Sequence, residues 1–211
     1  MNEPVGRPGR PTMTDGLREH LLDIGVLAEG DRCGDAHDAL VRPGVTVAAL
    51  GAALSRLHRA PVPEAVLEEL PRRGPAELVE AARQVVASGR VHGESIAAPY
   101  RHLTPERLME VLEDGLGSLE AVTPVLTHGA PTLDRLCGVA VPDALADWSR
   151  VGLADSHLDL AVAARDLMSR LGPAIVPVLA SSYEPPLIDP RRLDWYALAI
   201  ELTGDPPAPR P

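Results

Sequence analysis

The stretch that decides the fold is THGAPTLDRLCGVAVPDALADWSRVGLADSHLDLAVAARDL, residues 127–167. Near the start of this stretch, His128 and Gly129 lie in a segment that is predicted to form a turn. Two short strand-like runs follow, LCGVA at 136–140 and ALADW at 144–148, and predict a β-hairpin around Val141-Pro142-Asp143. Beyond the hairpin, the apolar spacing predicts a helix over 157–171.

Apolar periodicity predicts mainly helical structure on both sides of this stretch. A short helix beginning near Leu17 is predicted to end near Gly25, and a second helix is predicted over 45–59. Further helices are predicted at about 63–70, 75–88, 104–120, 173–181 and 189–203. Residues 1–14 and 205–211, rich in Pro, are predicted to be disordered tails, which leaves a single domain over 15–204.

The residues of the quoted stretch resemble the catalytic core of the aminoglycoside 3′-phosphotransferase family, in the protein-kinase-like superfamily. His128 and Gly129 match the start of its His-Gly-Asp motif, but Ala130 stands in place of the catalytic Asp. Arg135 stands in place of a metal-binding Asn, and Asp147 matches a second metal ligand. Other residues in register with the family pattern are Arg150, Gly152, Ala154, Asp155, Asp159, Leu160, Ala161, Arg165 and Asp166.

The resemblance covers about residues 120–203 and, more weakly, 43–70. It implies a mainly α fold with a small β-hairpin, similar to the helical C-terminal lobe of these enzymes. The family's β-rich N-terminal lobe is predicted to be largely missing, because no Gly-rich phosphate loop or strand pattern precedes Leu54.

Phosphoryl transfer needs a Lys for the phosphates, a carboxylate for the acceptor hydroxyl and oxygen ligands for Mg²⁺. The chain has no lysine, since all 20 of its basic residues are Arg. Ala130 has no side-chain oxygen, and Arg135 has only donors and a positive charge. No catalytic residue is therefore intact, and Asp147 alone is left to bind a metal. Neither Asp134, on the same loop, nor Asp143, in the hairpin turn, is a good substitute for the missing carboxylate.

Two interpretations of Arg135 stay open. Its guanidinium could lie where the metal would bind and pair with Asp147, or it could point to solvent. His128 is predicted to anchor its loop by packing, and Asp155 and Asp159 are predicted to cap the following helix and tie the loop to it. His58 is predicted to be a helix-end histidine with no catalytic role.

The resemblance places the family's aminoglycoside contacts on Arg150, Arg165, Asp166 and Glu201. Carboxylates suit the amines of such a ligand, because each amine gains a charge-assisted hydrogen bond. The alternative is that Arg165 and Asp166 form an ion-pair network of the scaffold and that Glu201 is an exposed charge at a helix end.

The formal net charge is −10 and the isoelectric point is near 5.1. This charge disfavours nucleic acid and anionic membranes as partners and is compatible with a cationic small molecule. Cys33 and Cys137 have no metal-ligand spacing and are predicted to be free thiols. No signal sequence or run of 18 apolar residues is present, so a cytoplasmic location is predicted.

The function that we predict is non-catalytic binding or interaction by a degenerate relative of the phosphotransferases, a pseudokinase. No cofactor is expected. Homodimerisation or binding of another protein is predicted through the face that an N-terminal lobe would cover. The alternative is a phosphotransferase for an aminoglycoside-like or other small hydroxyl substrate, using ATP and Mg²⁺ with altered chemistry or a partner-supplied lobe.

Overall fold

The computed structural model describes residues 13–27, 42–91, 100–119, 123–137, 144–184 and 188–203. The helices in these ranges are α1 (Asp15–Asp23), α2 (Pro43–Arg59), α3 (Glu64–Glu69), α4 (Pro75–Ala87), α5 (Pro105–Leu116), α6 (Ser156–Leu171), α7 (Val176–Ser182) and α8 (Pro190–Thr203). The strands are β1 (Arg72–Arg73), β2 (Val125–Thr127), β3 (Leu136–Cys137), β4 (Ala144–Leu145) and β5 (Gly152–Ala154). The predicted mainly α fold is confirmed.

Local sequence explains where the helices begin and end. The Thr14 hydroxyl accepts a hydrogen bond from the Leu17 amide at the start of α1, and Thr104 caps α5 in the same way. The segment after α1 turns through Gly25, whose φ of 66° is accessible to glycine without strain. Thr14 lies within the predicted N-terminal tail and is the N-cap of α1. Residues 1–12 and 204–211 lie outside the described residues.

The predicted hairpin is present as strands β3 and β4, in which Leu136 pairs with Leu145 in antiparallel register. Residues 138–143, which include Asp143 and the predicted turn, lie outside the described residues. Leu145 also forms a parallel bridge with Leu27, and its amide donates to the Val26 carbonyl at 2.8 Å. The segment after α1 therefore lies along the hairpin.

A second sheet was not predicted. Its order is β1-β5-β2, with β5 parallel to β1 and antiparallel to β2. The strands have only two or three residues each, too few for a period-two pattern to be visible in the sequence. This sheet matters for the site, because β2 leads directly into His128 and β1 carries Arg73.

Helix α6 lies between two apolar clusters and contributes to both. Leu160 and Leu167 pack into one cluster with α1, α2 and the hairpin, whereas Leu158 and Ala161 pack into the other with α4, α5 and α8. Because both faces of α6 are buried, its polar residues are also held inside the protein. These polar residues organise the candidate site.

The predicted binding of a second copy or of another protein would require exposed apolar side chains. Among the described residues, the exposed large apolar side chains are Val45, Val111 and Met168, each on a different helix. Binding of a second copy or another protein stays a prediction.

None of the helices that the structure describes has both the length and the apolar character needed to span a membrane. Cys137 is buried and its thiol donates to the Arg135 carbonyl at 3.6 Å, and Cys33 lies outside the described residues.

Candidate functional site

His128 begins the loop that follows β2, and it is completely buried. Its Nε2 donates to the Ala146 carbonyl at 2.8 Å, and its Nδ1 accepts from the Ala130 amide at 3.3 Å. The ring packs against Trp148, with 4.7 Å between ring centroids. Burial lowers the pKa of His128, so the neutral ring is favoured. These contacts fit the predicted loop-anchoring role.

Asp159 of α6 ties this loop to the helix, as predicted. Its two carboxylate oxygens accept hydrogen bonds from the amides of His128 and Gly129, each at 2.7 Å. The side chain is completely buried. Burial alone would raise the pKa of Asp159, but hydrogen bonds from His58 and the loop amides outweigh it and hold the pKa below its usual range.

His58 is the third donor to Asp159, and sequence reasoning missed this contact. Its Nε2 lies 3.1 Å from the Asp159 carboxylate, and its Nδ1 lies 2.9 Å from the Tyr183 hydroxyl. The helix-end position was predicted correctly, but the side chain points inward and is buried. The two residues are separated by 101 positions, so only the folded structure brings them together.

Gly129 allows the loop to pass close to its neighbours. Its φ is 81°, a conformation that side-chain-bearing residues rarely adopt. A Cβ atom at this position would lie 2.2 Å from the Arg150 carbonyl oxygen and 2.6 Å from Nη1 of Arg73. The Arg73 guanidinium therefore lies directly against the loop, one residue before Ala130.

Arg135 joins the loop to Asp147. One guanidinium nitrogen donates to the Ala130 carbonyl at 2.7 Å, and the other lies 2.9 Å from the Asp147 carboxylate. The predicted pairing of Arg135 with Asp147 is confirmed, and the solvent-pointing alternative is wrong. A hydrogen bond from Ser149 and the charge of Arg135 together hold the pKa of Asp147 below its usual range.

The residues around Asp147 do not fit a magnesium ion. Mg²⁺ requires near-octahedral oxygen ligands, whereas the group closest to this carboxylate is a cation with no acceptor. Asp134 on the same loop is paired with Arg170. Among the described residues, no group of three or more His, Cys, Asp or Glu side chains could hold a metal.

Of the four residues predicted to contact a substrate, three form pairs within the scaffold and one lines a cleft. Arg165 on α6 lies 2.8 Å from Glu201 on α8, and this ion pair joins the two helices. Glu201 is buried, so the alternative that it is an exposed helix-end charge is wrong. Asp166 accepts from the Leu133 amide at 2.9 Å and also pairs with Arg170. Arg150 lines the cleft described below. Substrate binding by these residues stays a prediction.

Asp155 caps α6, as predicted, by accepting from the His157 amide at 2.9 Å. Sequence reasoning missed its second contact, in which His157 Nδ1 lies 2.7 Å from the same oxygen. His157 Nε2 accepts from the Asp189 amide, so the ring is held on both sides by structural partners. Burial acts to raise the pKa of Asp155, but the hydrogen bonds from His157 outweigh it and lower the pKa.

A cleft of about 330 Å³ opens beside the loop. It is bounded by β1, α4, α6 and α8 and by the loop residues Gly129 and Arg150. The sequence did not predict it, because its walls come from segments more than 100 residues apart. Its lining residues are Arg73, Glu77, Leu78, Ala81, Gly129, Arg150, Leu158, Val162, Ile200 and Thr203.

The proteins that this chain resembles include kinases of antibiotics. A streptomycin 3″-kinase of Streptomyces griseus is 35% identical over an alignment of 152 residues, which covers 61% of this chain. The alignment covers 54% of that kinase, so this chain spans about half of its length. No protein-family model matches the chain.

Solved structures give the same result for the fold. An aminoglycoside phosphotransferase of Streptomyces rimosus superposes with a TM-score of 0.66 at 24% identity, covering 83% of this chain and 67% of that one. A type VIII aminoglycoside-3′-phosphotransferase gives a TM-score of 0.61 at 24% identity, covering 92% and 66%. The resemblance to aminoglycoside phosphotransferases identified in the sequence is thus confirmed.

Replacing Asp159 with Asn tests whether the buried carboxylate holds the loop. Asn keeps the size but replaces one acceptor oxygen with a donor that faces other donors. We expect Asp159→Asn to lower the free energy of unfolding by about 3 kcal/mol. Asp134→Asn is the matched control, because Asp134 is exposed, and its effect should stay below about 1 kcal/mol. Urea denaturation measures both, and equal losses would contradict this role of Asp159.

The buried His128 predicts a specific pH dependence. Its folded pKa lies below the unfolded value of 6.5, so its contribution is complete above pH 6.5. That contribution is lost as the pH falls through the folded pKa, because the ring must then be protonated inside the protein. Between pH 7 and pH 5 the wild type should therefore lose more stability than His128→Gln. Parallel stability curves for the two proteins would contradict the prediction.

Proposed function

We propose that this chain is a non-catalytic relative of the aminoglycoside phosphotransferases and works as a binding module. The observation that carries the proposal is the position of Arg135, whose guanidinium joins the Ala130 carbonyl to the Asp147 carboxylate. In a working phosphotransferase, the equivalent space is needed for a metal and for the acceptor hydroxyl. Here a permanent side-chain cation neutralises the carboxylate instead.

The chemistry of the loop argues against phosphoryl transfer. Ala130 has no atom that can position a hydroxyl group or accept its proton. Asp147 is the one carboxylate left of the set, and it is paired with a guanidinium. Because the parts of such a site act as a unit, the loss of several leaves little reason to expect partial activity.

The scaffold around the loop nevertheless stays ordered. The Asp159 carboxylate holds two loop amides, and Asp166 holds the amide of Leu133. These contacts keep the loop and the neighbouring cleft in a fixed shape without any nucleotide. A fixed concave surface beside an inactive centre is what a binding module requires.

The alternative is a phosphotransferase with altered chemistry. Two similar proteins support this alternative. The Streptomyces griseus protein is a streptomycin kinase, and the structure of the Streptomyces rimosus enzyme has been solved with ADP and streptomycin. For this chain, the alternative requires ATP, Mg²⁺ and a second source for the missing lysine and carboxylate. Nucleotide binding that depends on Mg²⁺ discriminates the two functions.

Calorimetric titration with ATP and GTP, with and without Mg²⁺, tests the proposal. We expect no binding up to millimolar nucleotide, because Arg135 takes the carboxylate that a metal would need. An active aminoglycoside phosphotransferase titrated in the same buffer is the positive control. Heat that saturates only in the presence of Mg²⁺ would contradict the non-catalytic proposal and favour the alternative.

A further inference from the structure

The cleft beside the loop has a polar end and an apolar end. Arg73 and Arg150 line the polar end next to Gly129, where the Arg73 guanidinium lies against the loop backbone. Its volume of about 330 Å³ is at the small end of the range for ligand sites, about 300–1,000 Å³. The cleft is therefore large enough for a small metabolite.

Aliphatic side chains form the rest of the cleft. Leu78 and Ala81 come from α4, Leu158 and Val162 from α6, and Ile200 from α8. None of the lining residues is aromatic, so the cleft offers no ring on which a nucleobase could stack. Its walls suit a flexible aliphatic body, because burying such a body gains free energy in proportion to its apolar area.

The charges of the cleft favour an anion. Two arginines and one acidic residue, Glu77, line it, and the Arg73 guanidinium lies beside Gly129 at its edge. The Glu77 carboxylate lies back over Gly74, at the first turn of α4, where the helix dipole already favours a negative charge. Arg73 and Arg150 both have interactions within the protein. Each guanidinium has five N–H donors, however, and can keep an internal contact while it binds a ligand oxygen.

We propose that this cleft binds a small amphipathic anion, with a carboxylate or phosphate group at Arg73 and an aliphatic body along α4, α6 and α8. The assignment rests on the proposed binding function and names its ligand class. A protein of net charge −10 would be expected to attract cations, yet the charged lining of this cleft is positive on balance. A polycationic sugar would face two arginines here, so the cationic ligand is the competing outcome.

Octanoate is the first probe, measured by calorimetry and by amide chemical shifts on the full chain. Octyl phosphate tests whether a phosphate head group binds as a carboxylate does. Octylammonium and octanol keep the alkyl chain but carry a positive charge and no charge, so they test the need for an anion. Acetate keeps the carboxylate but lacks the alkyl chain, so it tests the need for the aliphatic body. We expect the two octyl anions to bind and to shift amide signals around Gly129 and Val162. Octanol, octylammonium and acetate should bind at least about tenfold more weakly.

Neighbouring arginines on β1 provide a matched pair of variants. Arg73 lines the cleft, whereas Arg72 is exposed and does not line it. Arg73→Gln should weaken octanoate binding about tenfold through loss of a charge-assisted bond, and Arg72→Gln should leave it unchanged. Val162→Phe should also weaken binding, because the larger side chain would fill the apolar end of the cleft. Val111→Phe, at an exposed position of α5, is its control. Circular dichroism and thermal unfolding verify that each variant is folded.

The outcomes separate this inference from the function on which it rests. Octanoate binding that falls with Arg73→Gln but not with Arg72→Gln supports the anion site. Equal losses in the two variants, tighter binding of octylammonium, or no binding by any probe would overturn it. The nucleotide titration is independent, since a silent titration leaves the non-catalytic function intact even if octanoate fails. Mg²⁺-dependent nucleotide binding would remove that function even if octanoate binds.

Discussion

The buried carboxylate of Asp159 is the constraint on which the site depends. It is completely enclosed, and it accepts hydrogen bonds from the His128 and Gly129 amides and from the His58 ring. A buried charge is costly unless several donors satisfy it, so the carboxylate requires the loop just as the loop requires the carboxylate. Because α6 is packed on both faces, this pairing fixes the loop relative to both apolar clusters.

The Arg135 guanidinium balances the charge of a second carboxylate, that of Asp147. Asp147 is held at a φ of 57°, close to the loop and to the ring of His128. In phosphoryl transfer a metal neutralises such a carboxylate, whereas this chain supplies a guanidinium at 2.9 Å. The Arg135 guanidinium therefore balances the charge of this carboxylate within the loop.

The sequence predicted those features that depend on local pattern or on register within one motif. Helix starts such as Thr104-Pro105 carry their own capping chemistry, and Arg135 and Asp147 could be paired because the resemblance places both at one metal. Features built from distant segments could not be predicted. Strand β1 has only two residues and finds its partner in β5, and His58 meets Asp159 across 101 positions. The cleft was missed for the same reason.

The most direct test of the account is whether Arg135 stands in for a metal. Mn²⁺ can be titrated into the wild type and into Arg135→Asn while amide signals near Asp147 are followed for paramagnetic broadening. We expect no localised broadening in the wild type and clear broadening in Arg135→Asn, where the carboxylate is released. Arg107→Asn, which releases the exposed Glu110, controls for nonspecific binding. Equal broadening around Asp147 in the wild type and in Arg135→Asn would contradict the account.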